Sequence, residues 1–199
     1  MDRPNWNSVL EDGKLIDITE FFSGVETERL ILRNICEDDT DFIFHHFSDP
    51  WITQYLMDEP PVENLDEAKA IVEYYLNPEM KNHNRWIILR KKDQRPVGTC
   101  GFHKWDKAHL HAEIGYDLAA DCWGQGFMSE ALRAVISGAF TRMKLNRIDA
   151  MVYIGNSRSI KLLQKLGFEQ EGLLREYFYL NNTFFDHLFF GLLHYDWCH

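Results

Sequence analysis

The sequence predicts a single mixed α/β domain, with a central, mostly antiparallel twisted sheet flanked by helices. Three observations predict it. Seven segments alternate apolar and polar residues with the period of two of a half-buried strand. Four segments instead carry the 3.6-residue apolar period of an amphipathic helix. Three of the strands follow one another across short turns, as an antiparallel meander requires. At 199 residues the chain is long enough for one sizeable core and falls in the single-domain range.

Residues 1–24 are weakly periodic and stand as an N-terminal extension to a domain over 25–199. From Glu26, ETERLILRNI alternates as a strand, and EDDTDFIFHHF follows with helical spacing and carboxylates in its first turn, where they suit the helix dipole. A second helix starts near Asn64, which forms a cap and capping-box pair with Glu67 ahead of Ala68, Ile71, Val72 and Tyr75. The meander comprises NRWIILRKK, PVGTCGFHKW and HLHAEIGYDLA, with turns at Asp93 to Arg95 and near Lys107. After it come the loop DCWGQG, a helix from Phe127 to about Met143, the strand RIDAMVYI and the helix SRSIKLLQKL. Two long strands, GLLREYFYL and TFFDHLFFGLL, close the chain as a hairpin whose turn residues, Asn181 and Asn182, tolerate positive φ. The order is β-α-α-β-β-β-α-β-α-β-β.

Composition narrows the function. Acidic residues outnumber basic ones 31 to 21, for a formal charge of −10, which repels nucleic-acid phosphate and can attract a cationic substrate. No direct nucleic-acid partner is expected. No stretch approaches the roughly 20 apolar residues that span a bilayer, and the N-terminus has neither a basic region nor a continuous apolar run, so a cytoplasmic protein without a membrane segment is predicted. Cys36, Cys100, Cys122 and Cys198 are scattered without a CxxC pair, as thiols of a reducing compartment are. With no HExxH or other ligand spacing, no metal is expected.

The chemistry is carried by CWGQGFMSEAL, where Gly124 and Gly126 immediately precede an amphipathic helix. A helix start offers unpaired backbone N–H groups and a positive dipole end, and glycine lets a phosphate approach the backbone. A pyrophosphate fits such a loop; so does an ordinary tight turn. About thirty residues on, NSRSIKLLQKLGFEQEG places Asn156 at a strand end, then a short helix, then Gly167 and Phe168 as a glycine C′ cap.

Together these segments resemble the acetyl-coenzyme A-binding core of the GCN5-related N-acetyltransferases (GNAT), over roughly Glu26 to the C-terminus. AEIGYDL, CWGQGFMSEAL and the tail REYFYLNNTFFDHLFFGLL are similar to the RimJ/RimL group of ribosomal-protein N-terminal acetyltransferases within that superfamily. The resemblance implies acetyl-coenzyme A as co-substrate. It places Trp123, Gly124, Gln125, Gly126, Phe127 and Met128 in the pyrophosphate loop, with Trp123 and Met128 departing from the usual side chains in a motif whose donors are backbone groups. It implies pantetheine contacts from Asn156 and from the backbone of Tyr116, Asp117 and Leu118, and puts Ser159 near the emerging thiol. Many members carry an acidic tyrosine at the place held here by Leu163.

The implied reaction is attack of a neutral amine on a thioester. At pH 7, deprotonation costs about 1.4 kcal/mol for an α-amine and about 4.6 kcal/mol for a lysine, so an α-amine needs only modest base assistance. Glu113 is the candidate base, directly or through a water, with a structural strand hydrogen bond as its other reading. Ser159 is the candidate thiolate proton donor, and a helix-capping hydroxyl its alternative. His111 shares a strand face with Glu113, and with nine histidines in the chain each is more readily structural or superficial. The aromatic run from Tyr177 to Phe190 reads as sheet core, with Tyr177 or Tyr179 bordering an acceptor pocket and the hairpin as a candidate homodimer surface. Three functions are compatible: acetylation of a protein α-amine, acetylation of a small amine such as a polyamine or aminoglycoside, and a non-catalytic coenzyme A-binding interaction module.

Overall fold

The computed structural model describes residues 10–11, 14–15, 22, 24–56, 59–76 and 82–197. Most of the expected extension, residues 1–24, and Cys198 lie outside these. Strands β1 (Leu10–Glu11) and β2 (Lys14–Leu15) pair with each other. The remaining strands are β3 (Gly24–Glu26), β4 (Leu30–Asn34), β5 (Trp86–Arg90), β6 (Arg95–Asp106), β7 (His111–Leu118), β8 (Arg147–Tyr153), β9 (Glu169–Leu180) and β10 (Thr183–Leu193). They form one sheet in the order β3-β4-β5-β6-β7-β8-β10-β9, antiparallel at every junction except β7 with β8.

The helices are α1 (Thr40–Phe47), α2 (Pro50–Thr53), α3 (Leu65–Leu76), α4 (Phe127–Thr141), α5 (Ser157–Lys165) and α6 (His194–Trp197). Alternation along β5 shows how the layers are built. Trp86 and Ile88 belong to the larger core with Leu132, Val135 and Ile136 of α4, whereas Ile87 belongs to the second core with Ile43 of α1 and Val72 of α3. Helices α1 and α3 therefore cover one face of the sheet, and α4 with α5 the other, because a strand's successive side chains point to opposite faces.

The mixed α/β fold, the meander and the closing hairpin stand as expected. Asn181 and Asn182 both take positive φ, 50° and 59°, in a two-residue turn that pairs Leu180 with Thr183. At the start of α3, Asn64 Oδ1 accepts from Glu67 N at 3.0 Å, while the Glu67 carboxylate reaches back to Glu63 N at 2.8 Å. Gly167, at φ 92°, ends α5 with the paired bonds Gly167 N to Gln164 O and Phe168 N to Leu163 O that satisfy its last carbonyls.

Two local readings need correction. ETERLILRNI is not one strand: Thr27 N bonds Leu30 O and the chain folds into the β3–β4 hairpin, because Glu28 and Arg29 sit at the bend. The carboxylates before α1 form a separate 3₁₀ turn over Glu37–Asp39, in which Asp39 bonds Cys36 N and chelates the Arg33 guanidinium at 2.7 Å through both oxygens.

Candidate functional site

The site begins where the sheet opens. β7 and β8 are hydrogen-bonded in parallel only at His111–Arg147, Ala112–Ile148 and Glu113–Asp149, although β7 runs on to Leu118 and β8 to Tyr153. Beyond Glu113 the strands part, leaving facing backbone edges that no ladder uses. Two cavities lie at this wedge, one of about 670 Å³ and one of about 510 Å³. Tyr55, Leu56, Tyr116, Asp117, Asn156 and Ser159 line both, so the cavities meet there.

The smaller cavity runs along the start of α4. Gly124 and Gly126 take φ of 74° and 80°, and Gly126 is the N-cap residue, with no side-chain cap. The first-turn N–H groups of a helix lack intrahelical acceptors, and the first ladder bond here runs from Glu130 N to Gly126 O. The loop is braced from outside. Arg29 donates to Gln125 O at 3.0 Å and to Glu130 Oε2 at 2.6 Å, and its guanidinium lies 4.6 Å from the Phe127 ring centroid. Burial pushes the Glu130 pKa up, and the hydrogen bonds from Thr27 and Arg29 more than offset it, keeping the carboxylate charged. Trp123 Nε1 donates to Leu118 O at 2.8 Å, tying the loop to the end of β7.

The same groove is lined by Leu118, Trp123, Phe127 and Met128 on its apolar side and by Arg158, Lys161 and Lys165 of α5 on the other. Arg158 stacks 4.3 Å over the Trp123 ring. This combination suits a ligand with an extended apolar arm and several phosphates: backbone donors and a helix dipole at one end, cations along a helix face. The three cations lay outside the motif-based reading. Their spacing in SRSIKLLQK, three and then four residues apart, was the available signal for a basic helix face.

At the junction, Asn156 caps α5, its Oδ1 accepting from Ser159 N at 3.1 Å. The Ser159 hydroxyl is 2.7 Å from the Tyr116 phenol oxygen. Burial raises the Tyr116 pKa well above the ordinary phenol value, against the lowering effect of the Ser159 bond. Leu163, one helical turn beyond Ser159, is fully buried in the core.

The larger cavity has an aromatic wall of Tyr55, Tyr74, Tyr75 and Tyr153, with Glu59 and Glu113 as carboxylates. Glu113 pairs with Lys104 Nζ at 2.9 Å. His111 does not form a substrate-facing pair with it, since its Nδ1 faces Asp149 Oδ2 at 3.7 Å. His103, across the ladder from Glu113, is held neutral, because burial and the nearby Arg85 charge lower its pKa to about 3.

Beneath the cavity is a buried charge network. Asp117 Oδ1 is 2.6 Å from His46 Nε2 and accepts from Thr99 N at 2.9 Å. Its Oδ2 accepts from Arg85 Nη2 at 2.7 Å and from the Thr99 hydroxyl at 2.6 Å. Arg85 also donates to the Thr99 hydroxyl and to Tyr75 Oη. Burial by itself pushes the Asp117 pKa up, and its bonds to His46, Arg85 and Thr99 outweigh that and hold it at about 2. The carboxylate of Asp117 thus serves the sheet and α1. No sequence signal joins His46, Arg85 and Asp117, which come from three elements far apart in the chain.

The structure therefore gathers Tyr116, Asp117, Leu118, Trp123, Gly124, Gly126, Phe127, Met128, Asn156 and Ser159 around one groove. Glu113 stands apart on the wall of the larger cavity, and the Gln125 side chain turns to Asp121 O. Among the described residues, no helix is long and apolar enough to cross a membrane, and no group of three metal-ligating side chains is found.

Comparison with known proteins follows this geometry. Residues 29–169 match the family model of the acetyltransferase (GNAT) domain. The chain is 40% identical over 168 residues to an uncharacterized N-acetyltransferase, p20, of Bacillus licheniformis, covering 84% of this chain and 94% of that protein. It is 33% identical over 102 residues to the [ribosomal protein uS5]-alanine N-acetyltransferase of Escherichia coli, covering 51% of this chain and 53% of that one. The crystal structure of a spermidine N-acetyltransferase from Vibrio cholerae in complex with CoA and spermine superposes with a TM-score of 0.77 at 22% identity, covering 87% of this chain and 100% of the other, a likeness of fold.

Proposed function

The chain belongs to the acetyltransferase (GNAT) domain family and is an N-acetyltransferase, and from that premise we propose that it moves the acetyl group of acetyl-coenzyme A to the α-amine of a protein N-terminus. In this reading the pyrophosphate lies over the backbone N–H groups from Trp123 to Met128. The pantetheine follows the open edge of β7 from Tyr116 to Leu118, past Asn156, and the thioester reaches the junction at Ser159. The acceptor enters through the larger cavity.

The observation that carries the α-amine is the state of the carboxylates in that cavity. A polyamine bears several positive charges and needs several carboxylates to replace their hydration. Asp117 is saturated by Arg85, His46 and Thr99, and Glu113 is paired with Lys104, which leaves the exposed Glu59 as the remaining carboxylate among the described residues of the lining, one where a polyamine needs several. A single amine followed by a peptide chain fits this wall of tyrosines better than a chain of ammonium groups. The likeness to the uS5-alanine N-acetyltransferase favours the same acceptor.

A thiol-release screen tests it. Peptides with free N-termini are expected to be turned over faster than spermidine, spermine or aminoglycosides, and acetyl groups on a basic protein are expected at its N-terminus when located by mass spectrometry. The charge of −10 should speed encounter with basic proteins, an effect that fades as salt shortens the Debye length below about 8 Å. Acetylation confined to lysines, or turnover on polyamines alone, would replace this acceptor.

Glu113 is the proposed acceptor of the ammonium proton. Because freeing an α-amine at pH 7 costs only about 1.4 kcal/mol, Glu113→Gln is expected to lower kcat/KM on the order of tenfold at pH 7. The deficit should shrink by pH 9, where the amine is already neutral, with coenzyme A affinity unchanged. A pH–rate profile parallel to that of the native protein would remove Glu113 from this role.

A further inference from the structure

The opening between β7 and β8 puts a pair of hydroxyls between the two cavities. Both Tyr116 and Ser159 line both spaces, and their oxygens are 2.7 Å apart, with either able to donate to the other. Tyr116 comes from the face of β7 opposite Glu113 and Asp117, and Ser159 from the first turn of α5, fixed there by the Asn156 cap. The other polar groups shared by the cavities are less suited to carry a proton. The Asp117 carboxylate is saturated, the Asn156 oxygen is occupied by Ser159 N, and the Tyr55 phenol, which also lines both, is hydrogen-bonded to neither member of the pair.

We propose that the Tyr116 and Ser159 hydroxyls form a two-step path carrying the attacking amine's proton to the departing sulfur of coenzyme A. After Glu113 has taken the ammonium proton, the neutral amine forms a bond to the acetyl carbon and the carbon–sulfur bond breaks. The nitrogen must then lose one proton and the sulfur must gain one. Nitrogen gives its proton to the Tyr116 oxygen, Tyr116 passes its own to Ser159, and Ser159 passes its own to sulfur. Each hydroxyl gives one proton and receives one, so neither carries a charge at the end. Burial favours the protonated phenol, which suits a group that transmits a proton without ionising. The inference rests on the acetyl-transfer reading of the site and not on which amine is accepted.

Single-turnover acetyl transfer, with the best amine from the screen, tests the path in mixtures of H₂O and D₂O. The native protein is expected to show a curved, two-proton dependence on deuterium fraction. Tyr116→Phe and Ser159→Ala should each lower the rate on the order of 10²-fold, straighten that dependence, and leave coenzyme A affinity by calorimetry within about threefold. The double variant should be no slower than the slower single variant, since groups that act as one unit lose their effect together. Ser159→Thr keeps the hydroxyl and should restore the rate to within about fivefold of native. A linear dependence in the native protein, additive losses in the double variant, or losses accounted for by weaker coenzyme A binding would overturn the relay. A native protein that binds acetyl-coenzyme A and acetylates no amine would instead overturn the transfer reading beneath it.

Discussion

Gly126→Val is expected to weaken coenzyme A binding on the order of 10³-fold, about 4 kcal/mol, while lowering the stability of the unliganded protein by only about 1–2 kcal/mol. The two effects have separate origins. Gly126 sits at φ 80°, a left-handed conformation that costs an L-residue roughly 1–2 kcal/mol, and that strain acts on folding. Inside the protein the new side chain meets little, since a Cβ built there lies 3.5 Å from Arg29 Nη2, an ordinary contact. Gly126 also lines the groove, beside the N–H groups that should hold a pyrophosphate. Losing two hydrogen bonds to a charged ligand, at about 1.5–3 kcal/mol each, gives the larger effect. Calorimetric titration with coenzyme A, paired with urea denaturation, separates the two. An unchanged dissociation constant in a folded variant would move the pyrophosphate away from this loop.

Asp117→Ala is expected to destabilise the protein by about 3–5 kcal/mol and lower its Tm by about 10 °C. Removing the carboxylate leaves the Arg85 guanidinium buried without its counter-charge and strips an acceptor from His46 and from both donors of Thr99. That is a sizeable part of the roughly 5–15 kcal/mol that keeps a domain folded. The network also sets an acid limit. The folded-state pKa of Asp117 is about 2, below the unfolded value of about 3.9, so its contribution is complete above pH 4 and is lost as the pH falls through 2. His103, with its pKa lowered to about 3 from about 6.5, adds to this: the unfolded chain takes up its proton first, and stability declines from pH 6.5 downward. Urea denaturation at pH 7, 5, 4 and 2 should therefore show a progressive loss in the native protein. In Asp117→Ala the part of that loss between pH 4 and 2 should disappear. A change in stability below about 1 kcal/mol at pH 7 would mean that the pair contributes little.

What could be read from the chain follows the range of the signals. The periods of two and 3.6, the Asn64–Glu67 cap, the Asn181–Asn182 turn and the Gly167 C′ position are set by neighbours within a few residues, and each lies where the sequence places it. The glycine loop before α4 is local in the same sense, since positive φ at Gly124 and Gly126 and a helix start are enough to define it. Even locally the reading failed at Glu28 and Arg29, where apolar alternation continued across a bend. Arg29 then braces the loop through Gln125 O and Glu130, a partnership across about a hundred residues that no window of sequence contains.

The site itself was decided by tertiary structure. Ladder pairing between β7 and β8 stops after Glu113 and Asp149, and that divergence creates the wedge in which two cavities meet. It brings Tyr116 to Ser159 and leaves Glu113 on a separate wall with Lys104. Packing of β7 against β6 and α1 sets Asp117 against His46 and Arg85, so that the residue valued in the sequence for its backbone acquires a buried structural carboxylate. Residue type and spacing determine which groups can bond their chain neighbours. Where a strand leaves its partner, and which distant side chains then share the gap, depends on how eight strands twist and on which helices press against each face.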